Sequence, residues 1–272
     1  MNRKKREKSL RVLPVKEVKY KEENDIHPNL PQPLHHKGFI ELNIGPTASG
    51  KSCCVAWQLL SKNAFGGKTP VWQKENVHIF SPTVLSDDTD RFYVDYFNCY
   101  EKYEDSILQG IIAKQESIPK KERKKILILF NDQIGLIPKS SNAFVNSFAS
   151  RYRHHNVSLI YNIQALKGVS PIVRINASNV CLFAGINAKD LEMVEEQYGG
   201  PFKGTLSRLY YAKTKKKYSF LHIMPREVPP RMTDCFTKEI EWENYVDYET
   251  KANKLMNDIE FSDSESDGSD DD

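Results

Sequence analysis

Between Gly38 and about residue 224 the chain alternates short apolar runs with stretches of helical period. Six runs read as strands: FIELNI (39–44), VHIFSP (77–82), KILILF (125–130), VSLIYNI (157–163), NVCLFAG (179–185) and YSFLHIM (218–224). The first, third and fourth are nearly continuous in apolar residues, as strands covered on both faces should be. Helical patterns lie between them. KSCCVAWQLLSKNAF follows a glycine turn, and EDSILQGIIAKQESI precedes the third run. NAFVNSFASRYRH carries Phe144, Phe148 and Tyr152 on one helical face. AKDLEMVEEQYGG ends in glycines that suit a C-cap. Strand–helix alternation of this kind predicts an α/β fold, a mostly parallel central sheet flanked by helices.

The flanks read differently. Residues 1–36 are basic and punctuated by Pro14, Pro28, Pro31 and Pro33, the composition of a flexible arm. The body runs over 37–225. After Pro225 the pattern decays into an extension, 226–257, and the segment 237–260 has the composition for a helix. Residues 258–272 form an acidic tail, disordered by composition. There is no internal repeat, no signal-peptide pattern and no apolar run long enough to span a bilayer, so no membrane partner is expected.

Charge sharpens this division. The formal net charge of +3 hides eight acids in the last fifteen residues, and the remainder holds 39 bases against 28 acids, or +11. A basic body with an acidic tail suits a polyanionic partner, although a solvated arm and a solubilising tail would look the same. Lys213, Lys215, Lys216 and Lys217 form a turn-like basic cluster that either faces such a partner or is an ordinary solvated loop. The five cysteines show no CxxC spacing, which argues against a zinc site or disulfide framework and for a reducing, intracellular compartment.

The chemistry begins after the first strand. Gly45-Pro46-Thr47-Ala48-Ser49-Gly50-Lys51-Ser52 matches G-x-x-x-x-G-K-[ST] in full, with an apolar strand before it and a helical pattern after it. Backbone N–H groups of such a loop wrap a phosphate, and the helix N-terminus adds the positive end of its dipole. Lys51 would reach the β- and γ-phosphates of ATP, and Ser52 would ligate Mg²⁺. A second element follows KILILF, where Asn131 and Asp132 occupy the place that often holds an acidic pair. Either Asp132 takes the magnesium role, or Asn131 supports the metal's water shell and Asp132 polarises the attacking water. The fourth strand ends at Gln164, on the phosphate side of a parallel sheet, where an amide can hold water or sense the γ-phosphate. Arg153 precedes that strand, at the opposite edge, too far for its own nucleotide but placed to reach a neighbour's as an arginine finger. Arg151 and Arg174 compete for that role.

GPTASGKS, VHIFSPT, ILILFND, RHHNVSLIYNIQ and INASNVCLF together resemble the FtsK/HerA superfamily. Within it they are most similar to the genome-packaging ATPases of poxviruses, other large DNA viruses and virophages. The resemblance covers about residues 38–224, and Ser81, Pro82 and Thr83 of the second strand add to its specificity. It implies a RecA-like P-loop NTPase fold, a homo-oligomeric ring, and ATP-driven translocation of double-stranded DNA into a capsid, with a capsid or portal contact. The location it implies is the host cytoplasm or viral factory, or the virion. It carries Lys51 and Ser52 over as the loop pair, Asp132 as the acid, Gln164 as the sensor and Arg153 as the finger. Asn131 departs from the usual aspartate. Two other readings stand beside it: a nucleotide kinase-type phosphotransferase, and a nucleotide-dependent scaffold with weak hydrolysis.

Overall fold

The computed structural model describes residues 38–241, apart from 67–69, 87, 134, 136, 139, 141–142, 201–203 and 229. The basic arm, the acidic tail and the extension beyond residue 241 lie outside the described residues.

In chain order the elements are β1 (Ile40–Ile44), α1 (Lys51–Leu60), β2 (Val77–Phe80), α2 (Asp88–Arg91), β3 (Asn98–Tyr100), α3 (Asp105–Glu116), β4 (Ile126–Asn131), α4 (Phe144–Phe148), β5 (Val157–Ile163), α5 (Pro171–Asn176), β6 (Asn179–Phe183), α6 (Ala188–Tyr198), α7 (Leu206–Lys213), β7 (Phe220–Met224), β8 (Arg231–Asp234) and β9 (Lys238–Glu239). The strands form one nine-stranded sheet in the order β3-β2-β4-β5-β1-β6-β7-β8-β9. β1 to β6 pair in parallel, and β7 to β9 continue the sheet in antiparallel fashion. This is the α/β, mostly parallel sheet that the alternation of patterns predicts.

The topology decides where chemistry can sit. β5 is inserted between β1 and β4. The loops leaving β1, β4 and β5 therefore open side by side at the C-terminal edge of the sheet, the edge where parallel α/β sheets bind ligands.

Apolar side chains on the two faces form two cores. On one face Ile40, Leu42, Ile128, Phe130, Leu159 and Tyr161 meet α3 to α7 through residues such as Leu108, Val145, Val173, Val194 and Leu209. On the other, Phe39, Leu127, Leu129, Ile160 and Phe183 meet Val55 and Leu59 of α1. The period-two alternation of a strand separates the two sets.

All six expected strands are present. The sequence pattern does not predict β3, β8, β9, α5 or α7, since each is short or weakly patterned. β8 and β9 carry the sheet past residue 225, where the decay of the pattern suggests a boundary. Within the segment expected as a helix over 237–260, the described residues form a turn and β9. The helix expected over 142–154 is interrupted: α4 ends at Phe148 and a 3₁₀ turn covers Tyr152–His155. The Ser147 and Ser150 hydroxyls donate to the carbonyls three residues back, at 2.9 and 2.8 Å. Such bonds compete with helix continuation. Among the described residues no helix is long and apolar enough to cross a membrane.

Candidate nucleotide site

The loop Gly45–Ser52 joins β1 to the start of α1. Ala48 and Gly50 have positive φ, 59° and 101°, which turns the chain tightly enough to aim successive backbone N–H groups inward. Gly50 is the N-cap of α1 and gives no side-chain cap, so the helix's first N–H groups stay free for an anion. A Cβ at Gly50 would lie 3.1 Å from Tyr218 Cδ1, so the Tyr218 ring packs directly on the loop. Tyr218 is itself exposed with φ 67°. Lys217 Nζ lies 4.7 Å over its ring, which sets the basic cluster beside the loop. Lys213, at the end of α7, pairs with Asp234 at 3.5 Å.

Lys51 is buried, and its Nζ donates to the carbonyls of Gly45 and Pro46 at 2.7 and 2.8 Å. Burial lowers its ammonium pKa below the usual range, and the Asp132 carboxylate opposes that shift. Asp132 leaves β4 with φ 50°. Gln164 Nε2 donates to Asp132 Oδ1 and to Thr47 Oγ1, both at 3.4 Å. Lys51, Ser52, Asp132 and Gln164 thus converge on one loop. Arg153 does not join them. It is exposed in the 3₁₀ turn before β5, where its Nε donates to the Tyr152 hydroxyl at 2.9 Å. Arg151 and Arg174 likewise precede β5 and β6, at the edge away from the loop.

Beneath the loop lies a polar ladder that the sequence patterns do not predict. Asn131, Asn162 and Asn43 stand in register on β4, β5 and β1. Asn43 Nδ2 donates to Asn162 Oδ1 at 3.0 Å, and Asn162 Nδ2 donates to Asn131 Oδ1 at 2.7 Å. Asn131 Nδ2 donates to Asp90 Oδ2 at 2.7 Å, while the Ser52 hydroxyl donates to Asn131 Oδ1 at 3.3 Å. At the far end Glu41 Oε1 accepts from Asn43 Nδ2 and from Gln58 Nε2 of α1, both at 3.0 Å. Burial pushes the Glu41 carboxyl up to about 7, although both amides pull it back.

The ladder does leave a signal. Each of IELN, VSLIYN and ILILFN places an asparagine in a run otherwise covered on both faces. An amide there needs partners, and other strands are the nearest source. Asp90 leaves none, since in SDDTDR it resembles any solvated acid.

The oxygens that meet at Ser52 are its own hydroxyl and the Asn131 amide oxygen, while the Asp132 carboxylate acts on the charge of the adjoining Lys51. Hard oxygen ligands of this kind suit Mg²⁺. The free helix N-terminus and Lys51 suit a polyphosphate.

No family model matches the chain, and no curated protein matches it by sequence. Solved structures do match. B204, the DNA-packaging ATPase of Sulfolobus turreted icosahedral virus, aligns with TM-score 0.50 at 15% identity, over 75% of this chain and 98% of that one. The genome-packaging NTPase B204 of Sulfolobus turreted icosahedral virus 2, in complex with AMP, aligns with TM-score 0.52 at 15% identity, over 76% and 100%. The same NTPase in complex with sulfate gives 0.51 at 14% identity, over 74% and 97%. The chain therefore shares the fold of viral genome-packaging NTPases.

Proposed function

We propose that the chain is an ATP-hydrolysing motor that moves double-stranded DNA, packaging a viral genome into a capsid. The observation that carries this reading is the convergence of Lys51, Ser52, Asp132 and Gln164 on one phosphate-binding loop. Likeness in fold to viral packaging NTPases, one of them bound to AMP, supports the choice of DNA as cargo. In this reading Lys51 leaves the Gly45 and Pro46 carbonyls for the β- and γ-phosphates. Ser52 would hold Mg²⁺ with Asp132 or Asn131 beside it, and the metal would neutralise charge on the phosphate oxygens. Asp132, steadied by Gln164, polarises the attacking water. Arg153, on the far edge of the sheet, serves the site of the next subunit in a ring, in keeping with the FtsK/HerA resemblance. Within an infected cell the motor works in the cytoplasm or viral factory, with the capsid or portal as its docking partner.

Asn131 in place of an acid motivates a second reading, a nucleotide-dependent scaffold with weak hydrolysis. Phosphate release with and without linear duplex DNA separates the two. The motor is stimulated by DNA, and Lys51→Ala loses ~10²-fold or more in turnover, the scale of losing a key charge-stabilising donor. Arg153→Ala protein regains part of its activity when mixed with Lys51→Ala protein. Hydrolysis by Lys51→Ala at the parental rate refutes the site, and hydrolysis indifferent to DNA leaves the scaffold.

A further inference from the structure

We propose that Asp90 supplies negative charge to the Asn131 side of the magnesium end of this site, acting through Asn131 as a positioning residue. The inference rests on the nucleotide reading above and concerns how the missing acid at position 131 is replaced.

Asp90 is 3% exposed, on the short helix after β2. Its Oδ2 accepts from the Ser81 hydroxyl at 2.7 Å, the Thr83 hydroxyl at 2.9 Å and Asn131 Nδ2 at 2.7 Å. All three donors are neutral. Three donors on one carboxylate oxygen satisfy a negative charge, and inside a protein such a charge is felt strongly by a nearby cation. Ser81 and Thr83 belong to the SPT motif at the end of the second strand, and their hydroxyls give that motif a physical role, since they seat this acid. The segment is also fixed against the loop helix, because the Tyr93 hydroxyl donates to the Ser52 carbonyl at 3.0 Å. Asp90 is thereby tied to both partners at the metal end, Asn131 by its side chain and Ser52 by the adjoining turn.

An asparagine amide has one accepting end and one donating end. Asp90 can only accept when ionised, so it fixes the Asn131 nitrogen toward itself. The Asn131 oxygen must then face Ser52. The three amides run head to tail from Asn43 through Asn162 to Asn131, and such chains polarise one another. A carboxylate at the last donor draws electron density toward the Asn131 oxygen. The amide thus presents to the metal end part of the charge that an aspartate would carry.

The test uses the full chain and a non-hydrolysable ATP analogue, titrated with Mg²⁺ and again with EDTA. Asp90→Asn is expected to lose ~10-fold of the magnesium-dependent gain in affinity, the scale of one charge-assisted hydrogen bond, with affinity in EDTA unchanged. Adding Asn131→Asp to Asp90→Asn returns the charge to strand β4 and restores the gain. Thermal unfolding in EDTA reports any purely structural loss. A gain that survives in Asp90→Asn overturns the inference, as does a gain lost there and not restored in the double variant. So does a parent protein that binds the analogue with no magnesium dependence. Should Asp90→Asn not fold, the double variant decides alone: a parental gain supports the charge exchange, and its absence or failure to fold refutes it. A parent that binds no analogue at all refutes the nucleotide reading itself.

Discussion

The two faces of the central sheet are built from the same strands in the same register, yet they serve different ends. Toward α3 to α7 the side chains of β1, β4 and β5 are Ile40, Leu42, Ile44, Ile126, Ile128, Phe130, Leu159, Tyr161 and Ile163, all in one apolar cluster. Toward α1 the alternate positions begin apolar, with Phe39, Leu127 and Ile160, and become polar near the loop, with Glu41, Asn43, Asn131 and Asn162. One face holds the domain together by burial and dense packing. The other gives up some of that to carry a chain of amides, bonded from strand to strand, toward Ser52. A buried amide is tolerable because each one partners the next across the strands. Strand alternation lets stability and chemistry be set nearly independently, one residue apart.

The largest way to break the comparison is on the apolar face. Leu159→Ala removes a fully buried side chain from the middle of the sheet, where neighbours cannot collapse inward. A loss of about 4 kcal/mol is expected from denaturant unfolding, within the range of buried Leu→Ala changes. The folded protein should keep its magnesium-dependent affinity for the ATP analogue. Loss of that affinity would mean the faces are coupled after all.

Next comes the buried end of the ladder. Because burial raises the Glu41 carboxyl from about 4.5 to about 7, the folded chain retains a proton between those values that the unfolded chain has released. Stability from this group is full below about pH 4.5, falls as pH rises through that window, and levels off above about 7. The span corresponds to at most ~3 to 4 kcal/mol at ~1.4 kcal/mol per pH unit. Glu41→Gln should flatten that slope in stability measured against pH, and an unchanged slope would show that Glu41 is ionised throughout.

The smallest effect sharpens the comparison at its centre. Asn162→Ala takes a donor from Asn131 and an acceptor from Asn43. It should cost ~2 kcal/mol, the scale of stranding buried polar groups. Unlike Leu159→Ala, it should also lower magnesium-dependent affinity. A stability loss without that second effect would make the ladder mere packing.

The sequence carries the apolar face well, because period-two runs covered on both sides leave few other arrangements. It also carries Lys51, Ser52, Asp132 and Gln164 to one edge, since strand ends of a parallel sheet gather there. It sets Arg153 before β5, on the edge away from them, and that is where the structure has it. What it cannot carry is contact between residues distant in sequence. Asn43, Asn131 and Asn162 meet only because β5 enters between β1 and β4, an order that no local pattern encodes. Asp90 reaches Asn131 through a four-residue helix too short to leave a periodic trace. The strands beyond β7 escape for a similar reason, being four and two residues long.

Both margins of the sheet are short. β3 contributes three residues, and the Asn98 side chain donates to the Glu75 and Val77 carbonyls at 2.9 and 3.2 Å. At the opposite margin β9 has two residues, and Arg231 grips Glu239 with two bonds of 2.6 Å. Margins this brief, one tied down by the Asn98 amide and the other by an ion pair, give an incoming strand little to pair with. Among the described residues the sheet therefore offers a second sheet no long open edge to extend.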